Sequence, residues 1–355
     1  MGNMSRSPKF FFFAQALLAA VFFGASAPFT KLLLGNISPI FLAAFLYLGS
    51  GSGIALIKGV QRLLYPSVIQ EASLEKADLK WLAGAILAGG VAAPIVLMFS
   101  LQNTPASTAS LLLNFEGVAT TLIALIFFKE AISRPAWFAI LTITAASVLL
   151  STDFGSGWGL SLGALGIMAA TCLWGLDNNF TRNISGKDPL SIVVWKGLLA
   201  GTFSFFLAML AGEPLPSVLT CLAAMLLGWV SYGLSTFLFI RAMRGLGAAR
   251  TSALYGTAPL AGVLLSMVIF RELPGFFFLI ALLLMLAGAY FLVNEKHGHL
   301  HYHPELFHEH RHAHNDAEHL HDSAEVAHSH SHSHPAEQHE HDHMPDIHHR
   351  HDHKD

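Results

Sequence analysis

One carboxylate stands alone inside a long apolar stretch. Glu116 is the only ionisable residue in Leu111–Phe128. On a helix it lies roughly 16 Å from Pro105 and 19 Å from Lys129, near a bilayer midplane, where a charge costs at least about 2.5–3.5 kcal/mol. Such residues usually face a bundle interior or a water-filled cavity. We therefore predict that Glu116 binds a proton or a cationic group of a solute. The alternative is a structural carboxyl hydrogen-bonded by Asn114 or a neighbouring helix.

A second polar set lies in two later apolar stretches. Asp177 and Asn178 come just before Arg182, and Lys196 is roughly 10 Å along its helix from Pro189. These positions are near the same side of the membrane, so an ion pair between Asp177 and Lys196 is within reach. Paired charges lower each other's burial cost. In a functional interpretation, a solute or proton competes for either partner. In the equally good alternative, the pair is a static salt bridge that holds two helices together.

Aromatic residues add a third group. Tyr255, Tyr232, Trp174 and Trp195 lie in apolar stretches and could offer ring faces to a solute. Core packing and anchoring at the membrane interface are the alternatives for each. The sequence has no Gly-rich phosphate loop, nucleophile elbow or zinc-hydrolase helix motif. We therefore predict neither an enzyme nor a nucleic-acid partner, and no required cofactor.

Composition separates the chain into two physical classes. Of 355 residues, 53% are hydrophobic and 12% are charged, against about 25% charged in soluble proteins. All 21 histidines lie from His297 onward. Up to residue 296 the basic residues exceed the acidic ones, and from 297 to 355 the acidic residues dominate. The chain is thus an apolar body followed by a polar tail.

The body has room for ten membrane spans of roughly 20 residues each. Lys and Arg concentrate in alternate connections, which predicts a cytoplasmic N-terminus. An even number of spans returns the C-terminus to the cytoplasm, so both termini are predicted on the cytoplasmic side of the plasma (inner) membrane. The predicted spans are about 10–31, 39–57, 80–101, 105–128, 135–151, 160–181, 190–211, 217–240, 247–270 and 274–293.

An internal repeat relates the two halves of the body. The segment Phe22–Lys31 aligns with Leu173–Arg182, which matches Gly24 to Gly175. The end of span 4, Ile126–Glu130, aligns with the end of span 9, Val268–Glu272. Both matches are five spans apart, and an odd number of spans reverses the direction of the second copy. The fold class predicted is an all-α integral membrane protein of two inverted five-helix repeats, a design that places solute sites near the midplane.

These features resemble the EamA branch of the drug/metabolite transporter (DMT) superfamily. The resemblance covers about residues 10–295 and implies a ten-helix secondary transporter, often an exporter of amino acids or other small metabolites. It predicts an EamA-like repeat at 1–151, a second at 152–295, and a separate tail at 296–355. The chain departs from the pattern at Glu116-Gly117, where many members have a proline in span 4; span 9 keeps it as Ala258-Pro259. Tyr47 replaces an arginine common in span 2, whereas span 7 offers Lys196.

The tail is dominated by His-x-His repeats. Neutral imidazole binds Zn, Ni, Co and Cu, and the interspersed Asp and Glu add oxygen ligands. Few apolar residues are present, so the tail is predicted to be disordered without metal. A low-complexity extension and a pH sensor are the alternatives. The candidate metal ligands are His297, His299, His301, His303, His308, His310, His312, His314, His328, His330, His332, His334, His339, His341, His343, His348, His349, His351 and His353.

Two functions compete. In the first, the body exports a small organic solute and the tail binds or senses metal. In the second, the body moves a divalent transition metal (Ni, Co or Zn) and the tail collects the ion. The absence of histidine from the body favours the first. The expected partners are the lipid bilayer, a small-molecule substrate and transition metal ions. A homodimer is one option for the oligomeric state.

Overall fold

The computed structural model describes most of the body and four segments of the tail. The described residues are 8–64, 72–128, 134–153, 159–184, 187–246, 254–271, 275–293, 297–303, 306–313, 327–334 and 337–343. Parts of three predicted features lie outside them. These are the charged ends of spans 4 and 9 at Lys129, Glu130 and Glu272, the candidate ligand His314, and the final histidines His348, His349, His351 and His353.

The described part of the body is helical, with ten helical segments in chain order. Short turns or π-helical stretches interrupt five of the segments, one of them at Gly256 and Thr257. The helices are α1 (Pro8–Gly24) and α2 (Ser26–Leu33); α3 (Pro39–Leu64); α4 (Leu79–Ala85) and α5 (Ala93–Gln102); α6 (Ala106–Leu112) and α7 (Phe115–Phe128); α8 (Arg134–Ser151); α9 (Leu162–Arg182); α10 (Pro189–Leu210); α11 (Val218–Gly228) and α12 (Ser235–Leu246); α13 (Ala258–Phe270); and α14 (Phe276–Val293).

Length and hydropathy identify most of these segments as membrane spans. Within the described residues six helical stretches are long and apolar enough to cross a bilayer: Phe11–Leu33, Pro39–Leu64, Lys76–Gln102, Ala106–Phe127, Pro189–Leu210 and Val218–Ala242. Three shorter apolar helices fall in predicted spans 5, 9 and 10. The remaining segment, α9, is more polar because it carries Asp177, Asn178 and Asn179. The protein is therefore a multi-pass integral membrane protein.

The third helical segment of each half contains a π-helix. The first π-helix, Ile86–Ala92, separates α4 from α5. The second π-helix, Trp229–Leu234, separates α11 from α12 at the matching place of the second half. π-helical turns inside α-helices are rare and are frequent at functional sites. Hydropathy predicts these spans as uninterrupted helices, and the π-helices are a finding of the structure.

Span 4 is also divided, whereas the sequence predicted one continuous helix. Turn residues Leu113 and Asn114 end α6, and α7 starts at Phe115. Span 9 has the same break at Gly256 and Thr257, just before α13. The break places Glu116 in the first turn of α7, where the helix dipole favours a negative charge.

Two aligned glycines mark equivalent close contacts in the two halves. A Cβ atom at Gly24 would lie 2.1 Å from the carbonyl oxygen of Ala258. A Cβ atom at Gly175 would lie 2.8 Å from the backbone nitrogen of Thr120. The first segment of each half thus packs backbone to backbone on the fourth segment of the opposite half. Small residues allow this approach between membrane helices, and the equivalence supports the alignment made from the sequence.

Apolar packing holds the halves together around these contacts. The largest buried cluster joins Phe41 and Leu46 of α3, Met98 of α5, Leu112 of α6 and Ile167 of α9. A second cluster packs α7 and α8 against α13 and α14, around Leu111 and Met285. Helix α9 of the second half is therefore surrounded by α5, α6 and α7 of the first. Side chains on α9 lie where the two halves meet.

Ion pairs gather at one end of the bundle, beside the start of α10. Asp188 accepts hydrogen bonds from the Leu190 backbone N–H at 3.0 Å and the Ser191 hydroxyl at 2.7 Å, and it pairs with Lys58 of α3. Its backbone N–H donates to the Ala72 carbonyl at 2.8 Å. Burial acts to raise the pKa of Asp188, but the bonds from Lys58 and Ser191 and the Lys58 charge hold that pKa below its ordinary value.

Lys187 extends the same cluster to the connection between α3 and α4. It pairs with Glu75 and lies 3.8 Å from Asp78. Its hydrogen bond and charge lower the pKa of Glu75. The cluster formed by Lys58, Glu75, Asp78, Lys187 and Asp188 therefore joins the two halves at this end of the bundle.

The Asp188→Ala variant should be less stable by about 1–3 kcal/mol, because it loses a helix cap and leaves Lys58 without its carboxylate. A folded-state pKa below the unfolded one means that Asp188 stabilises the protein above about pH 4 and that this contribution is lost as pH falls through the lowered pKa. Thermal unfolding in detergent at pH 7 and pH 3 measures both effects. Ser217→Ala removes an exposed cap of α11 and should cost less; equal costs would contradict the role of the ion pair.

The tail segments form paired strands, where composition predicted disorder. His297–His303 pairs antiparallel with Glu337–His343, and Leu306–Ala313 pairs antiparallel with Ala327–His334. The alternation of His-x-His has the two-residue period of a strand, which the prediction from composition did not weigh. The register sets His299 opposite His341 and His310 opposite His330. Two further residue pairs, Thr152–Leu160 and Asp153–Gly159, form a short ladder between the halves of the body.

Candidate functional site

Glu116 contacts the opposite half through an amide. The Asn178 side-chain amide of α9 donates to the Glu116 Oε1 atom at 2.8 Å and to the Thr120 hydroxyl at 3.2 Å. Thr120 in turn donates to the Glu116 backbone carbonyl at 2.8 Å. Glu116 is half-buried, and Asn178 is exposed although it lies between helices. The carboxylate is thus held by neutral donors and is accessible to a small solute or water.

Asp177 and Lys196 form the ion pair that their spacing suggested. The Asp177 side chain is 3% exposed and the Lys196 side chain 21% exposed, so the pair is largely removed from water. The Thr181 hydroxyl donates to Asp177 Oδ1 at 3.1 Å. A Cβ atom at Gly89 would lie 1.9 Å from Asp177 Oδ2, so the first π-helix packs directly on this carboxylate.

The first π-helix also supplies an acceptor to two aromatic side chains. The Gly89 carbonyl accepts a hydrogen bond from the Tyr47 hydroxyl at 2.6 Å and another from Trp174 Nε1 at 3.0 Å. Tyr47 and Trp174 are buried. The contact joins α3 and α9 to the third segment of the first half. Both side chains therefore position the ion pair, and neither hydroxyl nor indole N–H remains available to a solute.

Asn179 fixes the rotation of α9 that presents Asn178 to Glu116. Its amide donates to the Thr120 backbone carbonyl at 3.0 Å and to the Gly175 carbonyl at 2.8 Å. Because Asn179 is buried, this contact ties α9 to α7 where the two helices pack most closely. Consecutive residues of α9 thus serve three purposes: Asp177 pairs with Lys196, Asn178 binds Glu116, and Asn179 anchors the helix.

Tyr255 lies in a group of aromatic rings from different helices. Its ring centroid is 5.4 Å from that of Phe23 and 4.8 Å from that of Phe239. Tyr232, in the second π-helix, lies 6.2 Å from Phe23 and 5.8 Å from Tyr47. We call Phe23, Tyr47, Tyr232, Phe239 and Tyr255 the aromatic wall. It continues the site from the ion pair toward α1 and α12.

The structure brings some of the predicted site residues together and places others apart. Glu116 and Asn178 are in contact, the Asp177–Lys196 pair is adjacent to them, and Tyr255 lies in the aromatic wall. Asn114 is placed elsewhere: its amide faces the Met285 thioether at 4.0 Å, so the hydrogen bond to Glu116 comes from Asn178. Trp195 is 51% exposed and is not part of the wall.

Sequence reasoning missed several members of the site. Nothing in the neighbouring sequence marks Thr120, Asn179 or Gly89 as site residues, because threonine, asparagine and glycine also occur in membrane helices for packing alone. Phe23 and Phe239 are two of 27 phenylalanines. Their shared place follows from how the helices pack, which one sequence does not reveal. The aligned Gly24, next to Phe23, was the one available hint.

Comparison with known proteins gives the family. A profile of the EamA-like transporter family matches residues 11–152 and, a second time, residues 161–294. The chain belongs to the EamA-like transporter family. Two matches of one profile indicate two repeats in the body, and they end before the His-rich tail. The EamA assignment makes the protein a membrane transporter of the DMT superfamily and not an enzyme.

Two individual similarities agree with the EamA assignment. The chain is 26% identical over 292 residues to an uncharacterized transporter of Methanothermobacter thermautotrophicus, covering 79% of this chain and 85% of that protein. One solved structure, described only as the crystal structure of a protein, superposes with a TM-score of 0.57 at 21% identity, over 79% of this chain and 95% of the other. The second similarity concerns the fold alone.

Proposed function

We propose that this EamA protein is a secondary-active exporter of small organic metabolites such as amino acids, with Glu116 as the group that binds a proton or the cationic part of the solute. The observation that carries the proposal is the hydrogen bond between Glu116 of the first half and Asn178 of the second. A solute bound there touches both halves. Movement of one half against the other then exposes the same site to either side of the membrane in turn.

The neighbouring groups suit this role. Glu116 sits at the start of α7, directly after the turn at Leu113 and Asn114. Irregular backbone at membrane depth is tolerated where it is buried in protein or lines a cavity. The Asp177–Lys196 pair supplies fixed charges one residue away from Asn178. A proton or cation reaching Glu116 competes with a hydrogen bond from a neutral amide and does not have to displace an ion-pair partner among the described residues.

We further propose that the tail binds transition metals in the cytoplasm. In this role it regulates transport or buffers the metal ions, and it does not determine which solute the body carries. Strand register places histidine opposite histidine at several positions of the described tail, and imidazole is a good ligand for Zn, Ni, Co and Cu. The body is proposed to lie in the plasma membrane with both termini cytoplasmic. The Lys58–Asp188 cluster then belongs to the cytoplasmic end, as the positive-inside bias of its lysines indicates.

Uptake into inverted vesicles that contain the purified protein tests this proposal. Full-length protein and a form lacking residues 297–355 would be given an amino-acid mixture and, separately, Zn, Ni, Co and Cu ions. We expect organic solute to accumulate with both forms. Metal should be retained only by the full-length form, because the histidines lie in the deleted segment.

The opposite pattern would make the metal the transported species. Metal accumulation by the tail-less form, abolished by Glu116→Gln, would overturn the proposal and establish the second function that the sequence left open. Vesicles without protein give the background for each solute.

A further inference from the structure

We infer that the site between the halves selects organic cations, that is, solutes carrying a protonated amine or a quaternary ammonium on an apolar or aromatic body. The inference rests on the proposed function and assigns the class of solute, which neither the family nor its relatives specify. It follows from the aromatic wall, from the charge balance around Glu116, and from the way the tyrosine hydroxyls are used.

The aromatic wall is continuous across the halves. Neighbouring ring centroids are separated by 4.8–6.2 Å along the series Tyr47, Tyr232, Phe23, Tyr255 and Phe239. The rings come from α3, the second π-helix, α1, the helical residues that precede the turn before α13, and α12. Tyr47 is buried, and the other four rings are half-buried. Partly exposed aromatic residues that lie side by side can form a surface for a flat or apolar solute, and the negative π-faces of their rings attract a cation.

Two of the three hydroxyl groups of the wall are already engaged. Tyr47 donates to the Gly89 carbonyl at 2.6 Å, and Tyr255 bonds the Ser235 hydroxyl at 3.3 Å. These bonds fix the rings in place and leave their faces as the groups that meet a solute. The wall therefore recognises a solute through ring faces, with little hydrogen bonding from the phenols.

The charge balance at the site favours a positive solute. Glu116 accepts from Asn178, and the adjacent Asp177 packs on Gly89, whose carbonyl binds Tyr47 of the wall. Among the described residues, none forms an ion pair with Glu116. The nearby cation Lys196 is already paired with Asp177. An anionic solute would have to break that buried pair, which is costly. A cationic solute instead meets one carboxylate and a row of aromatic faces.

Three benzyl compounds of similar size test the selection by charge. They are benzyltrimethylammonium, which carries a permanent positive charge, benzyl alcohol, which is neutral, and phenylacetate, which is negative. Binding to the full-length protein in detergent would be measured by calorimetry, and counterflow by vesicles with the same protein. We expect the cation to bind at least about tenfold more tightly than the neutral compound, with no measurable binding of phenylacetate.

Variants of one ring separate the aromatic face from the hydroxyl. Tyr232→Phe keeps the face and should change the affinity for benzyltrimethylammonium less than about threefold. Tyr232→Leu removes the face and should lower that affinity about tenfold. Phe206→Leu is the matched control on the outside of α10, where the ring is 61% exposed, and should leave binding unchanged. Thermal unfolding of each variant shows that folding is retained.

Two outcomes would overturn the inference, and both can be told apart from the outcome that would overturn the proposed function. Equal affinity for the three compounds, or an equal effect of Tyr232→Leu and Phe206→Leu, would remove the organic-cation assignment while transport of other organic solutes stands. If no organic solute moves in any form but transition metals do, the proposed function itself fails.

Discussion

Replacing Glu116 by Gln should abolish the pH dependence of solute binding and weaken the binding of a cation by roughly 30-fold or more. Removing one member of a buried charge pair costs about 2–5 kcal/mol, which corresponds to that loss of affinity. The amide of Gln keeps an oxygen that accepts from Asn178, so the contact between α7 and α9 is retained. The variant therefore changes the charge with little change in packing.

The direction of the pH effect follows from competition for one carboxylate. A protonated Glu116 no longer attracts a cation, so the dissociation constant of the unaltered protein should rise as pH falls, by about tenfold per pH unit in the limit. Benzyltrimethylammonium is the suitable probe because it has no titratable group. The charged and titratable groups near Glu116 are Asp177, Lys196 and the tyrosines of the wall.

Calorimetric titration between pH 5 and pH 8 measures this prediction. Glu213→Gln makes the same chemical change in the connection between α10 and α11 and should leave the pH dependence intact. A pH dependence that persists unchanged in Glu116→Gln would assign the effect to another group. In vesicles, Glu116→Gln could lose proton-driven accumulation and still exchange solute by counterflow. That result would identify Glu116 as a proton carrier that is not needed for binding the solute.

The arrangement of spans was predictable because the hydrophobic length of a membrane sets it. Runs such as Pro39–Leu64 and Pro189–Leu210 reach that length by composition alone. The repeat was also visible, since Gly24 and Gly175 occupy aligned positions and make equivalent backbone contacts. These features depend on local composition and spacing, which one sequence contains in full.

The irregular backbone was not predictable in the same way. Both π-helices lie in apolar sequence whose composition is compatible with an ordinary α-helix, and the first accepts hydrogen bonds at its Gly89 carbonyl from Tyr47 and Trp174. Those partners come from α3 and α9, far away in sequence. The turn at Leu113 and Asn114 likewise interrupts a run that hydropathy reads as continuous.

The sequence predicted some of the site contacts and missed others, and the difference has a physical cause. Asp177 and Lys196 were paired correctly because charges in apolar spans have few partners to choose from. Asn178 was named without its partner, because which face of α9 meets α7 depends on the close contact at Gly175 and the anchor at Asn179. For the His-x-His tail, the sequence held information that the prediction did not use. Its alternating pattern has the two-residue period of a strand, whereas composition alone predicted disorder.

The second large effect should come from the Asp177–Lys196 pair. Asp177→Asn and Lys196→Met each leave one buried charge without its partner and should destabilise the protein by about 3–5 kcal/mol. The double variant Asp177→Asn/Lys196→Met removes both charges, so its stability should return most of the way to that of the unaltered protein. Thermal unfolding in detergent measures these three values.

Transport by the double variant decides between the two interpretations of the pair. A bridge that only locks α9 to α10 would recover both stability and transport when both charges are removed. We expect stability to recover without transport, since the pair adjoins Asn178, which donates to Glu116, and Asp177 packs directly on the first π-helix. The matched control is Lys58→Met/Asp188→Asn, which neutralises an ion pair at the end of the bundle and should leave the pH dependence of benzyltrimethylammonium binding unchanged. If Asp177→Asn/Lys196→Met instead binds and transports the cation with an unaltered pH profile, the pair is structural, and Glu116 alone carries the charge that the solute meets.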